Sequence, residues 1–77
     1  MSDPDHKSSE VKLSEARFSE CLEIVLAYLE AKPSIRNRDI RQATGITYDQ
    51  AIHFFNRAIS ENLLLRKGAG SSTCYVL

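Results

Sequence analysis

"RQATGITYDQ", residues 41–50, breaks one helical pattern and starts another within about three residues. Before the break, Ile40 and Ala43 lie three apart. After it, Ala51, Phe55, Ala58 and Ile59 recur at spacings of four, three and one. Both patterns give a helix one apolar face. Gly45 stands where a helix end needs a left-handed residue. Ile46 points inward, and the Thr47 hydroxyl can cap the next helix. The stretch therefore predicts a helix over residues 38–44, capped by Asn37, and another over 48–61, capped by Thr47. Two helices joined by a short turn containing glycine form a helix-turn-helix.

Upstream, Phe18, Leu22, Val25 and Leu29 recur at spacings of four, three and four, with Cys21, Leu26 and Tyr28 widening the stripe. This predicts a helix over residues 15–31, capped by Ser14 and stopped by Pro33, which disfavours helical geometry at Lys32. Ser34 and Ile35 read as a short extended connection. Residues 1–13, starting "MSDPDHKSSEVK", are read as a flexible tail or linker, because so polar a segment buries too little to offset its ordering entropy. Downstream, "LLLRK", "GAGSS" and "TCYVL" form two strand-like runs about a glycine-containing turn, a β-hairpin pattern. The fold class is α+β and mainly helical. Residues 14–77 are expected to form a winged helix-turn-helix domain, a three-helix bundle with a hairpin wing.

A chain of 77 residues is one small domain. Its apolar content of 43% is that of a globular protein. No apolar run is long enough for a transmembrane helix, and no signal peptide is visible, so a cytoplasmic protein is expected. Cys21 and Cys74 are then reduced thiols. They lack metal-ligand spacing and are read as small buried hydrophobes. No phosphate-binding glycine loop is present, since "KGAGSS" has the wrong order. Neither histidine has a nucleophile partner nearby in sequence. No catalytic residue, metal or cofactor is expected, and the chain is not read as an enzyme.

The net charge of zero hides a split. Residues 1–31 carry three cations against seven anions, a balance of −4. Residues 32–77 carry seven cations (Lys32, Arg36, Arg38, Arg41, Arg57, Arg66 and Lys67) against three anions, a balance of +4. The basic half thus calls for an anionic partner, and a helix-turn-helix suggests duplex DNA. In that pose the helix after the turn enters the major groove, while the helix before it crosses the phosphate backbone. Arg36, Arg38 and Arg41 would meet phosphates; Thr47, Tyr48, Gln50, His53 and Arg57 belong to the recognition helix; Arg66 and Lys67 stand at the base of the wing. Arg57 also lies four residues before Glu61, the spacing of a surface ion pair.

The stretch "NRDIRQATGITYDQAIHFFNRAISENLLLRKGAGSSTCYVL" resembles the C-terminal winged-helix domain of ATP-dependent DNA helicase-related, RecG-like transcriptional regulators. That group commonly ends in the pattern G-x-G-x-x-x-x-Y-x-L, matched by Gly68, Gly70, Tyr75 and Leu77. The likeness covers about residues 15–77. It implies DNA binding, and a chain that is a C-terminal piece of a larger parent protein or a freestanding relative. Such domains often carry Arg, Ser or Thr early in the recognition helix; here Tyr48, Asp49, Gln50 and His53 take those places. Phe54 occupies a position where a polar residue is usual, which predicts an exposed aromatic. It opens an alternative function: a winged helix for protein contact or homodimer formation, using Phe54 and the outer face of the first helix.

Overall fold

The computed structural model describes residues 13–77. The expected tail, residues 1–12, lies outside the described residues. Helix α1 spans Glu15–Ala31, α2 Asn37–Thr44 and α3 Tyr48–Ser60. Strands β1, Leu65–Lys67, and β2, Cys74–Val76, form an antiparallel hairpin that pairs Leu65 with Val76, Arg66 with Tyr75 and Lys67 with Cys74. A single 3-10 turn, Gly70–Ser72, fills the loop between them.

Helix α1 starts as expected, with the Arg17 backbone N–H donating to the Ser14 hydroxyl at 3.1 Å. Leu13, assigned to the tail from the sequence, is instead buried in the core with Phe18. These residues stand one place before the cap and at the fourth helical position. That is the spacing of a hydrophobic staple, which fixes the direction in which the chain enters the helix. The buried stripe is Phe18, Cys21 and Val25, with Leu22, Tyr28 and Leu29 packed against its edge. The helix ends where Pro33 requires, because Lys32 is extended at φ −127 and ψ 150.

Ile35 then exchanges two backbone hydrogen bonds with Tyr75, at 2.9 and 2.8 Å. The connection thus adds a one-residue third strand beside β2, and it buries Ile35 completely. The Tyr75 ring stacks on Phe55, with centroids 3.7 Å apart and planes 5° from parallel. One residue of β2 therefore joins the hairpin to both the first connection and α3.

Helix α2 begins one residue earlier than expected. Its cap is Arg36, not Asn37, and the Asp39 carboxylate accepts from the Arg36 N–H at 3.0 Å. Asn37 lies inside the helix, where its side-chain Oδ1 accepts from Arg41 Nε at 2.6 Å. Ile40 is the buried residue of α2, whereas Ala43, expected beside it, is exposed. The inner face advances by four residues instead of three, to half-buried Thr44. Burial of Thr44 is compensated because its hydroxyl donates to the Ile40 carbonyl at 2.6 Å. Gly45 takes the left-handed conformation, φ 82 and ψ 6, and its N–H donates to the Arg41 carbonyl.

Helix α3 opens with a reciprocal cap. The Gln50 N–H donates to the Thr47 hydroxyl at 3.1 Å, and the Thr47 N–H donates to the Gln50 side-chain oxygen at 3.0 Å. Ala51, Phe54, Phe55 and Ala58 are buried. Phe54 is not the exposed aromatic that was expected; its ring lies 5.0 Å from Phe18 and 5.3 Å from Phe55, fully inside the core. The buried positions advance by three, one and three, one continuous helical face. Past the helix, Asn62 is left-handed at φ 63. The Leu63 N–H donates back to the Ala58 carbonyl and the Asn62 N–H to that of Ile59. This exit satisfies carbonyls that the helix end leaves open and turns the chain so that Leu64 is buried.

Candidate functional site

Tyr48, Ile52 and Asn56 recur every fourth residue along α3, on a flank beside its buried face. They form one wall of an open groove of about 680 Å³. The start of α2 forms a second wall with Arg36, Asn37 and Arg38, and the hairpin closes the third side with Arg66, Gly70, Thr73 and Tyr75. Three arginines thus line the groove and no carboxylate does. Among the described residues no acidic side chain pairs with Arg36, Arg38 or Arg66. The nearest acid in sequence, Asp39, has its carboxylate on the Arg36 N–H at the helix start. Burial pushes the Tyr75 hydroxyl above the usual tyrosine range, opposed by the positive charge of Arg66. Tyr75 is therefore neutral at neutral pH, and its hydroxyl can donate as well as accept.

Of the residues expected to bind DNA, the structure brings Arg36, Arg38, Tyr48 and Arg66 together here. Arg41 stands behind the wall: its guanidinium lies 5.5 Å from the Tyr48 ring centroid while Nε holds Asn37. It braces two lining residues. Thr47 and Gln50 are engaged in the α3 cap, so the Gln50 side chain folds back on its own helix. Lys67 is exposed on β1 and does not line the groove; neighbouring strand residues point to opposite faces, so it is turned away from Arg66.

His53 and Arg57 lie elsewhere. With Leu13, Glu15 and Glu61 they line a separate hollow beside the start of α1. Arg57 donates to Glu15 and to Glu61, both at 2.9 Å, and its guanidinium sits 4.1 Å over the Phe18 ring. Those carboxylates hold Arg57 more firmly charged than an ordinary arginine. The hydrogen bond and charge of Arg57 in turn pull the Glu15 carboxyl below its usual range. Arg57 thus ties α1 to α3, and the ion pair with Glu61 that the i, i+4 spacing offered is formed.

Sequence reasoning passes over Ile52, Asn56 and Thr73. The first two have a signal: they continue the four-residue spacing from Tyr48 on the face that the core does not use. Thr73 has none, because its place depends on the turn at Gly70–Ser72.

Among the described residues there is no cluster of three or more metal-ligating side chains, and no helix is long and apolar enough to cross a membrane. Cys21 is buried and Cys74 half-buried, both as free thiols. Comparison with protein-family models, with curated proteins and with solved structures gives no match for this chain.

Proposed function

We propose that residues 14–77 are a winged helix-turn-helix domain that binds double-stranded DNA. Helix α3 would enter the major groove, while the start of α2 and the hairpin wing would grip the phosphate backbone on one side of it. The observation that carries this proposal is the convergence of Arg36, Arg38 and Arg66 on one groove without a carboxylate. Three like charges gathered without a counter-charge repel one another. An anion threading between them relieves that repulsion and gains charge-assisted hydrogen bonds. A duplex presents such anions in a row. The groove is also open, which suits an extended backbone better than a small enclosed ligand. Arg41 takes a supporting place, holding Tyr48 and Asn37 in position. The alternative of a protein-contact module used Phe54 and the outer face of the first helix; Phe54 is buried, which removes the first of these two supports.

The test is a salt titration of the purified chain on a random-sequence duplex. Log affinity should fall linearly with log salt. Replacing Arg36, Arg38 and Arg66 together by Ala should flatten the slope by up to about three, roughly 0.9 for each lost phosphate contact. Affinity that is absent at low ionic strength, or that ignores salt, would overturn the proposal.

A further inference from the structure

Asn56 borders both of the hollows described above, the arginine groove on one side and the His53–Arg57 hollow on the other. A residue that lines two depressions on either side of a helix sits on the ridge between them. Asn56 therefore lies on the solvent-facing side of α3, which it shares with Asp49, His53 and Ser60, the side that would enter any groove the helix meets. It is exposed, and its amide has no hydrogen-bond partner among the described residues. The other side-chain amide of α3, Gln50, has its oxygen on the cap. Ile52, one turn earlier and 37% exposed, presents a branched apolar side chain beside Asn56.

We infer that Asn56 is the residue through which this chain distinguishes DNA sequences, and that it selects adenine. The inference rests on the proposed binding of duplex DNA. A carboxamide offers one donor and one acceptor side by side. This matches the adenine edge in the major groove, where N7 accepts and the N6 amino group donates. Guanine presents two acceptors there, so an amide facing it leaves its oxygen against an oxygen. Ile52 suits the thymine methyl, the apolar feature of the major-groove floor. Four helical residues span about 6 Å. Ile52 and Asn56 therefore fall within about two base steps of each other, at about 3.4 Å per step. The preferred site should hold an adenine with a thymine methyl close by. Gln50, a base-reading candidate suggested by the sequence, has its side-chain oxygen held in the cap of α3.

The experiment selects duplexes from a randomised pool with the purified chain. It then compares wild type, Asn56→Ala and Arg66→Ala on the selected duplex, on single A·T to G·C replacements of it, and on a scrambled duplex. Wild type should prefer the selected duplex and lose affinity at one A·T position. Asn56→Ala should bind the selected duplex about 5-fold to 150-fold more weakly. It should also lose discrimination at that position while binding the scrambled duplex as wild type does. Arg66→Ala should weaken both duplexes alike. Wild-type discrimination that survives Asn56→Ala unchanged overturns the inference. So does wild-type binding that is salt-sensitive but indifferent to sequence, an outcome that leaves the proposed function standing. No binding to any duplex at low salt removes both. Because Asn56 is exposed, circular dichroism of Asn56→Ala should match wild type, separating lost recognition from lost folding.

Discussion

Gly45 and Gly68 have nearly the same backbone angle, φ 82 and φ 79, in different surroundings. A Cβ on Gly45 would meet nothing within 4 Å, whereas one on Gly68 would lie 2.4 Å from the Ser72 carbonyl oxygen. Gly45→Ala should therefore cost only the left-handed backbone preference, about 1 kcal/mol. Gly68→Ala adds a collision with backbone, and the loop must move; at least about 2 kcal/mol is expected. Urea unfolding of both variants gives the comparison, and equal losses would contradict the crowding at Gly68. Glu15 allows a second expectation. Its folded pKa is depressed by Arg57, so its contribution is present above the unfolded carboxylate range and is lost as pH falls through the folded value. Glu15→Gln should thus be less stable than wild type at neutral pH and converge with it in acid. Because Glu15 is exposed, the difference should be small and should shrink with salt.

At the scale of elements, the Thr47–Gln50 cap decides how α3 begins. Thr47→Ala should lose about 1 kcal/mol of stability, and Gln50→Ala a comparable or smaller amount, with no change in base preference for the latter. A Gln50→Ala variant with native stability but altered base preference would return that residue to the groove. The same element shows how much the sequence alone conveys. The helix-turn-helix segment is legible because Gly45 and Thr47 act through local backbone chemistry, which sequence states directly. Helix ends are legible to within a residue for the same reason. Phe54 is misjudged when a family pattern outweighs periodicity, although Ala51, Phe54, Phe55 and Ala58 lie on one helical face. Leu13 escapes because it is read with the polar tail, although its spacing to Phe18 across the Ser14 cap is a local signal. The groove is half legible. Arg36, Arg38, Tyr48 and Arg66 can be named, but which cations already have partners cannot. Glu15 stands 42 positions from Arg57, and no local rule joins them.

For the whole molecule, the decisive feature is the division of labour among charges. Cations near the core, Arg17 and Arg57, are neutralised by glutamates. Arg17 also reaches across to the Thr44 carbonyl at 2.6 Å, linking α1 to the end of α2. The cations of the groove have no such partners among the described residues. Arg57→Ala should therefore destabilise the fold, through lost packing on Phe18 as well as lost ion pairs, and leave the salt dependence of DNA binding unchanged. Arg66→Ala should do the reverse, keeping the melting temperature and flattening the salt slope by about one. Thermal melts and binding titrations on the two variants check both halves, and a slope change in Arg57→Ala would contradict the assignment.

The pairing of Ile35 with Tyr75 has a consequence in time. The partner that satisfies the Ile35 backbone lies 40 positions later in the chain, so in folding the three helices can form before that pairing. Closing so long a loop is entropically costly, and contacts of such sequence separation form slowly compared with the helices. Until Tyr75 pairs, Arg36 and Arg38 stand without the third wall of the groove, which the hairpin supplies. The third wall of the groove is therefore the part of the fold expected to form last, after the helices that carry Arg36 and Arg38.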